Sequence, residues 1–171
     1  MRKLQFGVGT FVGMTFVGML VTVVAALGGG ATAAGARPTP AVIHELTVFA
    51  GGHQPPVGTF TASGIPGCTS GSFSDQVVSF NHTGSRIVID RTYACAGGNT
   101  LTARVGLHLG TIDAAGVQTA DGSWRIISST GALVGLDGSG STSGLNSGCA
   151  PAGTALGECA TGVGTVTASI Q

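Results

Sequence analysis

Alternation over residues 67–110, GCTSGSFSDQVVSFNHTGSRIVIDRTYACAGGNTLTARVGLHLG, constrains this chain more than any other feature: it dictates three consecutive β-strands. In residues 86–94, Ile87, Ile89, Arg91 and Tyr93 fall on one face and Val88, Asp90, Thr92 and Ala94 on the other. In residues 101–109, Leu101, Ala103, Val105, Leu107 and Leu109 share a face opposite Thr102, Arg104, Gly106 and His108. A short loop at Gly97, Gly98 and Asn99 sets the Leu101 series on the same sheet face as Ile87 and Ile89. The strand over residues 73–80 is joined to the next by Asn81-His82-Thr83-Gly84, which supplies residues tolerant of positive φ. A turn centred between His82 and Thr83 places Asp75 opposite Asp90, an unfavourable like-charge pair.

The same register brings Cys68 within about one pairing step of Cys95, an offset that one β-bulge closes. Cys68–Cys95 is the disulfide this predicts, and Cys149–Cys159 is left to close a Gly/Pro/Ala-rich loop. Zinc is disfavoured, because there is no C-x-x-C pair and no histidine at ligand spacing beside a cysteine.

Disulfides require an oxidising compartment, and the N-terminus fits export. Arg2 and Lys3 precede an uncharged apolar run over residues 6–27, then a small-residue stretch ending Ala34-Gly35-Ala36. Residues 1–36 are read as a secretory signal peptide and 37–171 as one domain, secreted and without a stable membrane anchor after cleavage. The run is long enough to span a bilayer, so an uncleaved N-terminal anchor is the alternative. Residues 37–171 carry five arginines, no lysine and seven acidic residues. That balance gives no electrostatic footprint for nucleic acid or acidic membranes.

The remaining segments are short strands separated by turns. Residues 41–50 alternate with apolar residues on both faces, Val42, His44, Leu46 and Val48 on one and Ile43, Glu45, Thr47 and Phe49 on the other, so the inward face is open, with the first set favoured because it holds no formal charge. Val57–Ser63 follows, anchored by Phe60. After an Asp113–Gly116 turn comes a short strand at residues 117–119. Asp121-Gly122 is read as a two-residue hairpin turn leading into residues 123–129. A glycine-laced strand runs from Ala132 to Gly140, residues 143–162 are irregular, and 163–170 close the domain. Eight or nine strands with no helix, in a chain where 31 of 171 residues are glycine, make the domain all-β. Short sequential hairpins favour an eight-stranded antiparallel up-and-down barrel, with an immunoglobulin-like sandwich as the alternative.

Residues 122–140, GSWRIISSTGALVGLDGSG, resemble the recurring stretch of the bacterial allene oxide cyclase and dirigent-like barrels: an aromatic-containing strand, a G-T-G-like turn, an aromatic-x-glycine-leucine run and G-x-G. Ser129-Thr130-Gly131 lacks the first glycine of that turn, and Leu133 replaces the aromatic. The resemblance implies an eight-stranded barrel with an apolar cavity. None of that family's catalytic positions matches this chain.

Arg91 and Tyr93 are the candidate ligand-binding residues. If their face lines the barrel, they are convergent polar groups in an apolar interior, suited to a small amphipathic acid. The plainer alternative is a cross-strand ion pair or an arginine at the barrel mouth. Arg104 lies on the outer face with Asp90 and is expected to form an exposed pair. His44, His53, His82 and His108 come from separate segments, so no metal or cofactor is expected. Trp124 is read as a core anchor, and no G-x-S-x-G elbow is present. Three functions remain open: a secreted barrel binding a small apolar or amphipathic ligand, a cyclase or isomerase with titratable groups converging in a cavity, or a structural or surface-interaction protein with a filled core.

Overall fold

The computed structural model describes residues 37–51, 54–150 and 159–171. The proposed signal peptide and His53 lie outside the described residues. Eight antiparallel strands close into a barrel in sequence order: β1 (Thr39–Val48), β2 (Val57–Ser63), β3 (Ser70–Phe80), β4 (Arg86–Cys95), β5 (Thr100–Leu109), β6 (Gln118–Ser129), β7 (Gly138–Ser147) and β8 (Thr161–Ile170). A single 3₁₀ turn, Gly131–Leu133, interrupts the β6–β7 connection. The barrel expectation therefore holds and the sandwich does not.

The β3–β4 turn forms as its residues dictate. Gly84 adopts φ +67°, and the Asn81 carbonyl and side chain accept hydrogen bonds from the Gly84 and Arg86 amides at 3.0 Å each. Asp113 caps its own turn by accepting from the Ala115 and Val117 amides.

Four readings are corrected. First, the β3–β4 register differs by one residue: Asp75 pairs with Arg91 and Gln76 with Asp90. A one-residue slip exchanges the faces of a strand, and here it converts a repulsive pair into an ion pair. Second, Asp121 and Gly122 do not turn; they lie within the continuous strand β6, opposite His108 and Leu107. Gly122 is there for space, since a Cβ on it would sit 1.9 Å from the Gly106 carbonyl oxygen. Third, the inward face of β1 is Ala41, Ile43, Glu45 and Thr47, all buried, whereas Leu46 and Val48 are half-exposed. Fourth, the strand expected from Ala132 begins only at Gly138, because Gly131–Leu133 forms a 3₁₀ turn that buries Leu133, and it extends to Ser147, into residues expected to be irregular.

Side chains fill the barrel interior. Ile43, Tyr93, Leu101, Val105, Trp124 and Val166 are exposed by 2% or less. Each such side chain contributes about 2–3 kcal/mol by leaving water. At the end where β1 begins, Ile65 and Leu133 from the β2–β3 and β6–β7 connections are buried in the core. The Cys68–Cys95 disulfide ties that same end together, and Cys149–Cys159 closes the β7–β8 connection.

Candidate functional site

Five side chains from four strands converge inside the barrel: Glu45 (β1), Asp75 (β3), Arg91 and Tyr93 (β4) and Trp124 (β6). Strand pleating puts each there. Asp75 and Arg91 are direct cross-strand partners, and Tyr93 is two residues along the same face. The Arg91 guanidinium forks onto Asp75, with Nε to Oδ1 and Nη2 to Oδ2 both at 2.6 Å. Its Nη1 donates to Glu45 Oε2. The Tyr93 hydroxyl donates to Glu45 Oε1 at 2.5 Å and accepts from Trp124 Nε1 at 3.1 Å. Phe73 lies under the guanidinium, 4.3 Å from ring centroid to Cζ. Gly164 faces Glu45 across the β1–β8 ladder, and a Cβ there would sit 3.0 Å from Oε2.

The electrostatics follow from burial. Asp75, Glu45 and Arg91 are exposed by only 5%, 6% and 7%, so two carboxylates share one guanidinium away from water. Desolvation pushes the Asp75 carboxyl up, opposed by the Arg91 hydrogen bonds and charge and reinforced by the Glu45 charge. For Arg91, burial opposes the charge, but the Asp75 hydrogen bonds and the Glu45 and Asp75 charges outweigh it and hold the guanidinium further up than usual. Burial and the Glu45 carboxylate keep the Tyr93 phenol well above its ordinary value, so it remains a proton donor. Among the described residues, no buried side-chain polar atom lacks a hydrogen-bond partner.

Arg91 and Tyr93, singled out from the sequence, are thus brought together inside the barrel, but their donors are engaged by Glu45 and Asp75. The convergence of titratable groups sought for an enzyme is present, and the groups face one another. Glu45 lies on the face of β1 that the sequence favours less for the interior, because that face carries a formal charge. Asp75 was hidden by the one-residue register difference. A sharper signal existed: shifting the register by one relieves the Asp75/Asp90 clash and supplies Arg91 with an anion.

Toward the other end of the barrel the lining changes. The inner-face positions below the ion cluster on β3, β4 and β5 are Val77, Phe80, Ile87, Leu107 and Leu109. Ile87 and Leu107 pack against the core, whereas Val77 is 46% and Phe80 64% exposed. Opposite them, β7 and β8 present Gly144, Gly162 and Gly164. Outside the barrel, Arg104 forks onto Asp90 with two 2.9 Å hydrogen bonds, as expected. Arg86 Nε donates to the His108 ring, and His44 Nδ1 lies 3.3 Å from Thr165 Oγ1. No cluster of metal-ligating side chains occurs among the described residues. Compared with family models, curated proteins and solved structures, the chain matches none.

Proposed function

We propose that this protein is a secreted, disulfide-stapled barrel that binds a small apolar or amphipathic ligand at the end of the barrel where β3 turns into β4. The observation that carries the reading is the half-exposed apolar lip. Val77 and Phe80 sit on the inner side of the β3–β4 ladder but are left largely in water, while the opposite end is plugged by Ile65 and Leu133. An exposed apolar lip beside a polar floor has the composition of a small-molecule site. Export is supported by the two disulfides, which need an oxidising compartment.

In this reading Arg91 and Tyr93 form the floor indirectly. They hold Glu45 and Asp75, whose two carboxylates exceed the one guanidinium, so the favoured polar group on a ligand is a hydrogen-bond donor or a cation. A ligand carboxylate would meet an arginine that is already paired twice.

The test is native mass spectrometry of the secreted protein for a copurified small molecule, followed by titration with Nile red. A saturable site is expected, weakened about tenfold in Phe80→Ser, a loss of roughly 1.4 kcal/mol of binding. No copurified ligand together with probe binding identical in both proteins overturns the reading.

A further inference from the structure

The four strands β7, β8, β1 and β2 adjoin one another around the barrel. Their sequences, GSGSTSGLNS, TGVGTVTASI, TPAVIHELTV and VGTFTAS, contain one formally charged residue, Glu45, and it points inward and is buried. The outer face of this wall therefore carries no carboxylate, lysine or arginine. The other strands place Arg86, Asp90, Arg104, Asp121 and Arg125 on their surface or rim.

The uncharged wall also carries an aliphatic belt. Leu145 pairs with Val163, and Val163 pairs with Leu46, so three half-exposed side chains stand in one row across three strands. Val48 pairs with Val57 in the adjoining position. All five are 46–55% exposed. Around them lie hydroxyls in cross-strand pairs, Ser141 with Thr167 and Ser143 with Thr165.

We propose that this wall is a self-association surface that docks a second copy of the same chain. Depletion of charge around an apolar centre with a polar, uncharged rim is the composition of an interface core. Four strands spaced by about 4.8 Å and rising about 3.3 Å per residue present on the order of 600 Å² in projection. The closed barrel curves this wall, so the area it sets against a copy falls below the roughly 800 Å² per partner of a standard stable interface and fits a weak, concentration-dependent dimer. A second copy is the occupant the chemistry favours. A twofold interface sets a patch against itself, so any formal charge near the axis meets its like; this wall has no carboxylate, lysine or arginine, its one ionisable side chain is His44, whose Nδ1 lies 3.3 Å from Thr165 Oγ1, and its hydroxyls donate and accept equally well. The lack of lysine and arginine removes the attraction to anionic lipid, and the lack of charge offers no steering to a charged partner. The surface is separate from the ligand site and does not rest on that reading.

Sedimentation velocity on the secreted protein, from about 1 to 100 μM, tests the proposal. A monomer–dimer equilibrium is expected. Val163→Asp and, as a second variant, Leu46→Asp each place a charge in the centre of the belt and should raise the dissociation constant at least tenfold. Both positions face water, so the barrel should remain folded, checked by far-UV circular dichroism. Ala94→Asp, on the exposed outer face of β4 across the barrel, should dimerise like the parent. A monomer at every concentration overturns the proposal, as does a dimer unchanged by both charged variants. Association with neutral phosphatidylcholine vesicles that Val163→Asp abolishes, without dimerisation, overturns it in favour of a lipid surface.

Discussion

The β4–β5 pair and the β7–β8 pair lie in different parts of the barrel wall and solve opposite problems. β4 and β5 send large side chains inward, Ile89, Arg91, Tyr93, Leu101 and Val105, and carry the Asp90–Arg104 ion pair outside. β7 and β8 send glycine inward at positions 138, 140, 144, 162 and 164 and carry no charge at all. The two depend on each other. A closed barrel of this size has room for bulk from one side only if the facing wall gives way, and Gly164 of β8 also makes room for its neighbour, since a Cβ there would sit 3.0 Å from the Glu45 carboxylate of adjoining β1. Close approach also works between strands: a Cβ on Gly140 would meet the Thr167 carbonyl oxygen at 2.0 Å. The inner and outer faces of β4 differ in the same spirit. Arg91 and Asp90 are neighbours in sequence, yet one belongs to a desolvated cluster and the other to a wet pair whose Arg104 side chain is 51% exposed.

The largest expected effect is on the bulky side. Arg91→Met leaves two buried carboxylates without their cation and should cost about 4 kcal/mol, read by urea denaturation of the purified protein. A loss below 1 kcal/mol would mean that the carboxylates neutralise without penalty and that the cluster is not held by charge. Next is the glycine wall. Gly140→Ala sets a methyl against backbone that cannot yield like a side chain, and should cost roughly 3 kcal/mol; a neutral result in the same assay would break the claim that this wall is built for close approach.

The third prediction uses acid to separate the faces. Asp75 has a folded pKa above its unfolded value, so its ionised form is disfavoured by folding. Its contribution to stability is most favourable below about pH 4, near the ordinary aspartate value, and declines as pH rises through the folded pKa. Asp90 is the reverse: hydrogen bonds from Arg104 hold its pKa down, and its stabilisation is lost as pH falls through the folded value. Unfolding free energies from pH 3 to 8 should therefore show the wild type losing ground to Asp75→Asn as pH rises, and gaining on Asp90→Asn. Parallel curves for all three would remove the distinction between the faces. The smallest effect belongs to Arg104→Ala, whose exposed pair is screened by water and salt. Its denaturation midpoint should move less than that of any other variant, and less still at 1 M salt.

Much of the fold was legible because its signals are local. Alternation in β4 and β5, the Asn81–Gly84 turn and the inward grouping of Leu101 with Ile87 all appear in the structure. Misreadings cluster where a residue type has two physical uses. Asp121-Gly122 carries turn chemistry, but Gly122 also permits close strand approach, and the barrel's coiling selects the second use. Of the site, Arg91, Tyr93 and the buried Trp124 were visible as residues, whereas Glu45 and Asp75 were not recognisable as their partners.

By itself the sequence determined the all-β class, the hairpin turns and the two disulfides, because a period of two, turn chemistry and cysteine count act over a few residues. Only the tertiary structure decided the β3–β4 register, the inward face of β1 and the closure of the ion cluster. Those choices turn on the energy of burying Glu45 beside an arginine 46 residues away. Desolvation makes that carboxylate unfavourable inside until Arg91 and Tyr93 arrive, and no local pattern around Glu45 announces that they will.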